Sequence, residues 1–178
     1  MPRAGLNTDR VVAAAAELAD EVGLDQLTQA ALAARLGVRQ PSLYKHVASL
    51  DALLRLISMR GKTELGDVLG RAAIGRARDD ALVAMAHAWR AWALAHPGRY
   101  QAAERGAAPG DAEHEEVSRR TVEVLAAVMD GYGLHGEDAI DAIRAYRAAL
   151  RGFVSLEANH GVAFLPVPTA ASTASSTP

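Results

Sequence analysis

Residues 27–47 have the sequence LTQAALAARLGVRQPSLYKHV, and this stretch decides the fold. Thr28 is suited to cap a helix that ends at Leu36, since a threonine hydroxyl can accept a hydrogen bond from a free N–H in the first helical turn. Gly37 permits the positive φ of a sharp turn. Pro41 fits the first turn of a following helix, where its missing N–H costs nothing. The stretch therefore predicts a helix-turn-helix, whose second helix offers its N-terminal end to a DNA major groove.

The side chains of this stretch that point away from its predicted core are suited to DNA. An amide can bond base edges, a proline ring can touch a thymine methyl, and a hydroxyl can serve a base or a phosphate. Three further side chains supply donors for phosphate oxygens. In that order, the candidates are Gln40, Pro41 and Ser42, followed by Tyr44, Lys45 and His46.

The distribution of charge supports a DNA-binding face although the chain has a net charge of −2. Residues 28–50 contain Arg35, Arg39 and Lys45 and no acidic residue, a local charge of +3. A protein that meets DNA through one small face needs only that face to be basic.

Composition and periodicity predict an all-α protein. Half of the 178 residues are hydrophobic but only 4% are aromatic, so Ala, Leu and Val must form most of the core, and such a composition favours helices. No strand pattern occurs. Beyond the first three helices, we expect a long one from about Ser49 past Gly61 to Leu69, and four more. These span about residues 80–95, 99–105, 112–132 and 136–159.

The absence of cysteine excludes disulfides, thiolate metal sites and cysteine nucleophiles, and it fits a reducing cytoplasm. The charged N-terminal segment predicts no signal peptide. No apolar run approaches the roughly 18 residues that cross a bilayer. We therefore expect a cytoplasmic protein with no membrane partner and no cofactor.

The N-terminal third resembles the TetR (tetracycline-repressor-like) family of transcriptional regulators. The resemblance lies in Leu27-Thr28, in Leu-Gly-Val at 36–38 and above all in Gln-Pro-Ser-Leu-Tyr-Lys-His-Val at 40–47. It implies a ligand-responsive homodimeric repressor with an N-terminal DNA-binding domain (residues 1–48) and a C-terminal helical effector-binding and dimerisation domain (49–165). Residues 166–178 form a Pro-, Ser- and Thr-rich tail that we expect to be disordered.

By this resemblance, Thr28, Tyr44 and His46 contact phosphates, while Gln40, Pro41, Ser42 and Lys45 face the major groove. The chain departs from the family pattern at two positions. Many members have a basic or polar residue where this chain has Ala30, and a lysine where it has Leu50. The protein therefore makes fewer contacts with DNA than many family members, or Arg39 supplies a contact in place of the missing ones.

The C-terminal region resembles a subgroup of this family with a WHG-type C-terminal domain, through Trp89, Trp92, the segment 96–100 and the segment 150–157. Trp89 and Trp92 lie three positions apart on one predicted helix, and two explanations of this aromatic stripe stay open. Large side chains at helical spacing pack a core, or they line an effector pocket. The candidate pocket residues are Met85, Trp89, Trp92, Tyr100, Tyr132 and Tyr146. Candidates for a dimer bundle are Val117, Val124, Val128, Ile140, Ile143, Ala149 and Phe153.

Two other classes of function remain as alternatives. An enzyme or metal site is suggested only by the acidic cluster around His114, whose spacing is not that of an H-E-x-x-H motif and which is more typical of a solvated helix start. The other alternative is a dimeric helical protein that binds a small molecule and no longer binds DNA. Loss of salt-dependent DNA binding would distinguish it from a repressor.

Overall fold

Seven α-helices and two short 3₁₀ helices form the part of the chain that the computed structural model describes, residues 6–158. The α-helices are α1 (Thr8–Val22), α2 (Gln29–Leu36), α3 (Leu50–Ala73), α4 (Arg78–Ala95), α5 (Pro97–Ala103), α6 (Ala112–Asp130) and α7 (Gly136–Ala158). The 3₁₀ helices are Leu24–Gln26 and Gln40–Lys45, and we call the second one the recognition segment. Residues 6–158 contain no strand, which confirms the all-α prediction. The predicted last residue of the final helix, Asn159, and the predicted disordered tail lie outside the described residues.

Side-chain caps fix where the first three α-helices begin. Thr28 accepts a hydrogen bond from the Ala31 amide at 3.1 Å, as predicted, and Ser49 caps α3 in the same way. Asn7 caps α1, because its side chain accepts a hydrogen bond from the Arg10 amide at 2.9 Å, and asparagine is among the residues preferred at an N-cap.

The predicted third α-helix is a 3₁₀ helix. Its bonds span three residues, as from the Ser42 amide to the Arg39 carbonyl and from the His46 amide to the Leu43 carbonyl, both 2.9 Å. Pro41 removes one donor, and the segment is only six residues long, so the tighter helix satisfies its backbone in the space available. Gly37 adopts the predicted left-handed conformation at φ 65° and ends α2.

Two hydrophobic cores share α3 and α5. The first packs α1, α2 and the recognition segment around Leu32 and Leu43, and it also takes in Leu53 and Ile57 of α3 and Ala102 of α5. The second contains the C-terminal half of α3 with α4, α6 and α7. The boundary after residue 48 stays a prediction, because α3 runs without a break from one core into the other.

Helix α5 is held tightly against the first core. A Cβ on Gly98 would lie 2.2 Å from the backbone carbon and oxygen of Ala19, so only glycine permits this approach to α1. The next residue, Arg99, donates from its backbone N–H and its Nε to the Asp20 carboxylate at 2.8 and 2.7 Å, and from Nη1 to Glu64 of α3 at 2.7 Å. This backbone contact and these ion pairs connect the two cores.

The contact at Gly98 yields a stability prediction. Gly98→Ala should lower the free energy of unfolding by about 1–3 kcal/mol, because the added methyl overpacks a rigid backbone contact. Gly70→Ala is the matched control, since a Cβ there meets nothing within 4 Å and alanine is the better helix former. Urea unfolding of both variants measures the difference. Equal stability of the two variants would contradict the close packing of α5 on α1.

Candidate functional site

The recognition segment presents most of its side chains to solvent. Gln40, Pro41, Tyr44 and Lys45 are exposed, Tyr44 by 51%, whereas Leu43 is buried in the first core. Arg39, just before the segment, is also exposed, and within residues 6–158 no carboxylate lies within 4 Å of the charged atoms of Arg39 or Lys45. The sequence-derived candidates therefore form one continuous surface with two unneutralised cations.

Three further candidate residues border this surface. Thr28 is exposed, and because its oxygen accepts the capping bond from Ala31, its hydroxyl hydrogen can still be donated to a phosphate. Ser42 and His46 are half-buried. The carbonyl of His46 accepts a hydrogen bond from the Thr8 hydroxyl at 3.4 Å. Ala30 and Leu50, where the family pattern has polar or basic residues, are both exposed and offer no side-chain donor.

Arg35 does not belong to this surface, although it contributes to the local charge of the sequence. Its guanidinium donates to both oxygens of Glu21 at 2.5 and 2.7 Å and lies 3.6 Å from Glu17. The bond from Arg35 holds the pKa of Glu21 below its usual value. The pair neutralises acidic residues of α1 beside α2, so the net positive charge of the candidate surface around the recognition segment rests on Arg39 and Lys45.

The helical domain encloses a small cavity. It has a volume of about 70 Å³, and residues from α3 to α7 line it: Lys62, Leu65, Trp89, Ala103, Glu104, Ser118, Thr121, Val122, Leu125 and Arg147. A wider groove of about 730 Å³ lies between α7 and the α4–α5 corner, lined by residues that include Tyr100, Glu104, Arg151 and Val154. Glu104 borders both spaces.

The six predicted pocket residues do not surround one cavity. Trp89 lines the internal cavity and Tyr100 the groove. Met85 and Trp92 are buried in the second core, where Trp92 makes an edge contact with the Tyr100 ring at 6.4 Å between centroids.

The remaining two predicted pocket residues lie elsewhere. The Tyr146 hydroxyl donates to the Leu82 carbonyl at 2.7 Å, and burial raises the pKa of Tyr146 to about 12. Tyr132 hydrogen-bonds to Asp79. Effector binding by Trp89 and Tyr100 stays a prediction. The internal cavity and the groove are the two spaces in which such binding would take place.

Trp89 and Tyr100 share an uncommon feature. The indole N–H of Trp89 and the hydroxyl of Tyr100 are both buried, and within residues 6–158 neither has a partner at hydrogen-bond distance and angle. Burial raises the pKa of Tyr100. A buried polar group without a partner costs about 1–3 kcal/mol. Such groups are therefore more easily explained by a ligand that supplies the missing acceptor.

Polar residues connect α3 to the start of α6. Arg55 of α3 donates to the Asp111 carboxylate at 2.5 and 2.6 Å, which holds the pKa of Asp111 down at about 2. One turn further along α3, the Ser58 hydroxyl lies 3.1 Å from Nε2 of His114. Both residues of this second pair are buried, at 0% and 2% exposure.

The prediction of a solvated helix start around His114 is therefore wrong for the histidine itself, which packs against α3. Glu113 and Glu115 are exposed, and Glu116 is half-buried and held by Arg119 and Arg120. Within the described part of the chain, no group of histidine, aspartate and glutamate side chains is arranged to hold a metal.

Family models match both halves of the chain. Residues 11–61 match the model of bacterial regulatory proteins of the tetR family, and residues 82–176 match the tetracycline-repressor-like C-terminal domain. The chain belongs to the TetR family of transcriptional regulators. Its finer placement in a WHG-type subgroup stays a prediction.

Relatives of this TetR-family chain match it over most of its length. An uncharacterised HTH-type transcriptional regulator of Mycobacterium tuberculosis is 43% identical over 86% of this chain and 71% of its own length. The class D tetracycline repressor protein of Escherichia coli is 30% identical over 94% of this chain and 73% of its own. A crystal structure of a TetR variant from Acinetobacter baumannii in complex with minocycline is 27% identical, with a TM-score of 0.67 over 88% of this chain and 78% of that one.

These matches confirm the family and the helix-turn-helix followed by a helical domain. No helix within residues 6–158 is long and apolar enough to span a membrane.

The buried His114 yields a prediction of pH dependence. Burial, reinforced by Lys62, lowers the pKa of His114, so the folded chain keeps its imidazole neutral. The unfolded chain takes up a proton near pH 6.5, and the free energy of unfolding should therefore fall as the pH drops below about 6.5.

His114→Asn should flatten this dependence, since an amide can still bond Ser58 but does not titrate near neutral pH. Urea unfolding at pH 7.5, 6.5 and 5.5 compares the two proteins. Identical pH profiles of the parent protein and the variant would contradict a neutral, buried His114.

Proposed function

We propose that this TetR-family chain is a ligand-responsive repressor that binds a palindromic operator as a homodimer, in the bacterial cytoplasm. The observation that carries the proposal is the recognition segment itself. It anchors Leu43 in the first core and exposes Gln40, Tyr44 and Lys45, and the exposed Arg39 directly precedes it. A surface built in this way is suited to enter a major groove.

The proposed contacts divide into those that position the protein and those that read sequence. Thr28, Tyr44 and His46 bond phosphates. The amide of Gln40 bonds base edges. Its Nε2 donates to Oε1 of Gln29 at 3.4 Å, and this hydrogen bond orients the amide. Pro41 meets a thymine methyl, and Ser42 bonds a base or a phosphate. Arg39 and Lys45 supply the charge that Ala30 and Leu50 do not.

Dimerisation is supported by an exposed stripe on α7. Ala145, Ala148, Ala149, Gly152, Phe153 and Leu156 recur at spacings of three and four residues, and all six are exposed. Small residues in such a stripe allow two helices to approach closely, and the two large ones supply apolar area. Of the predicted dimer residues, Ala149, Phe153 and Ile140 are exposed on α7, whereas Val128 and Ile143 are buried within the protomer.

A dimer is a geometric requirement for a palindromic operator, because two recognition segments must lie about 34 Å apart to reach successive major grooves. Repression is supported by the class D tetracycline repressor of E. coli, which matches 94% of this chain. A ligand response is supported by the A. baumannii TetR variant in complex with minocycline. The cavity and groove of this chain offer the corresponding space.

The coupling that we propose runs through α5. On one side, Tyr100 and the adjoining Glu104 border the ligand spaces. On the other side, Gly98 and Arg99 hold α1 of the DNA-binding core. A ligand that shifts α5 therefore changes the position of the helix-turn-helix. It alters operator affinity only if it favours one of the two positions.

Lys45→Ala tests the DNA-binding surface. The operator is obtained from a random DNA pool or from the upstream region of the gene. We expect operator affinity to fall at least tenfold, and the slope of log affinity against log salt to become shallower by about one for each Lys45 that neutralises a phosphate. Gel shifts at several salt concentrations measure both quantities.

The matched control is the double variant Glu21→Gln/Arg35→Gln, which removes a mutually neutralised pair from the neighbouring helices. It should retain operator affinity within about twofold, since it changes no net charge. If the parent protein gave no retarded band at low salt, the repressor proposal would be wrong.

Ala149→Glu tests the dimer. A carboxylate in the middle of the α7 stripe would be buried without a partner in the interface, so the variant should sediment as a monomer and lose operator binding. Ala34→Glu, an exposed alanine of α2, is the matched control and should remain dimeric. Analytical ultracentrifugation separates the two results. A dimeric Ala149→Glu protein would exclude this part of α7 from the interface.

A further inference from the structure

Three spaces in the helical domain meet at one side chain. Glu104 lines the internal cavity, the wide groove and a third hollow of about 250 Å³ that Arg144, Arg147 and Arg151 also line. Its carboxylate is bound to Nη1 of Arg151 at 3.0 Å, and its side chain is only 18% exposed. The Glu104–Arg151 ion pair therefore stands at the junction of these spaces.

Positive charge is in excess at this junction. Lys62, Arg147 and Arg151 face it, and among the described residues Glu104 is the only acidic one that lines these spaces, while the remaining cation, Arg144, is bound by Asp141 at 2.9 Å. Within residues 6–158, no carboxylate lies within 4 Å of the Arg147 guanidinium. Burial and the neighbouring Arg147 lower the pKa of Lys62, as expected where cations crowd together. Such a half-enclosed site favours an anion.

The apolar lining residues and the hydrogen-bond donors of the same region indicate which chemical groups a ligand has besides its negative charge. Leu65, Val122 and Leu125 make the internal cavity mostly apolar, and Leu94 and Val154 do the same for the groove. The unpartnered Tyr100 hydroxyl belongs to this neighbourhood, because Glu104, Arg147 and Arg151 all influence its pKa. A carboxylate placed here can accept hydrogen bonds from Tyr100 and from a guanidinium together.

We propose that the effector is an amphipathic organic anion, a carboxylic acid with an apolar body, whose carboxylate replaces Glu104 on Arg151. The apolar body lies along the groove and towards Trp89. This inference rests on the proposed ligand-responsive function. It also gives that function a trigger, since Glu104 directly follows α5 and its release from Arg151 removes one of the contacts that hold the end of this helix, where Lys62 also donates to the carbonyls of Ala103 and Arg105.

Binding of probe compounds tests the ligand class. Octanoate and phenylbutyrate represent linear and aromatic acids, and 1-octanol and octylamine have matched apolar bodies without the negative charge. Isothermal titration calorimetry on the full chain should give binding of at least one acid, at least tenfold tighter than that of the alcohol or the amine. Binding of neither acid, or equal binding of octanol or octylamine, would overturn the proposal.

Variants of the junction locate the carboxylate. Arg147→Gln and Arg151→Gln should each weaken binding of the acid at least tenfold, whereas Glu104→Gln should strengthen it severalfold because a competing carboxylate is gone. Arg120→Gln, a surface arginine on α6, is the matched loss of charge and should bind as the parent protein does. Because Glu104→Gln predicts a gain, misfolding cannot imitate it. Weaker binding by Glu104→Gln, or arginine variants that match Arg120→Gln, would overturn the proposed site.

Operator release separates this inference from the proposed function. Addition of a bound acid to the operator complex should reduce the retarded band in a gel shift. Binding without release would support the ligand class and contradict the ligand-responsive repressor. Operator binding by a protein that takes up neither acid would leave the repressor standing and overturn the ligand class.

Discussion

The approach of α5 to α1 is the contact on which the arrangement of this molecule depends. Gly98 brings two backbones together without a side chain between them, and Arg99 then bonds Asp20 of one core and Glu64 of the long helix that enters the other. Because α3 alone would allow the two cores to pivot about a single helix, α5 supplies the second connection. Two connections between rigid bodies allow a displacement in one core to reach the other.

Whether a basic side chain of this chain is available to an anion depends on its ion pairs, and not on the number of charged residues near it in the sequence. Arg35, Arg55 and Arg99 each lie against carboxylates of another helix. Arg39, Lys45 and Arg147 have no such partner within the described residues, and they lie on the proposed DNA-binding surface and at the proposed anion site. The net charge of −2 gives no indication of either surface.

Local signals in the sequence predicted the positions of the helices well. Thr28, Gly37 and Ser49 act within three or four residues of their own positions, so their effects follow from residue type alone. The type of helix in the recognition segment did not follow from these local signals. An element of only six residues that contains Pro41 forms a 3₁₀ helix rather than an α-helix.

Contacts between residues far apart in the chain could not be predicted from the sequence. Ser58 and His114 are 56 positions apart, and nothing near either residue shows that they meet. The aromatic stripe of α4 had two explanations, and packing separated them residue by residue: Met85 and Trp92 lie in the core, while Trp89 also borders a cavity. The junction at Glu104 depends on where helices α3 to α7 converge, which no spacing in the sequence encodes.

The recognition segment has a further consequence for how such a protein can diversify. Only Leu43 of its six residues is buried in the core, and Ser42 is half-buried, while the other four project outward. Substitutions at those four positions should change the proposed DNA contacts at little cost in folding free energy, since surface replacements usually alter stability by less than about 0.5 kcal/mol. The DNA sequence that the proposed contacts favour can therefore change almost independently of the packing that holds the segment in place.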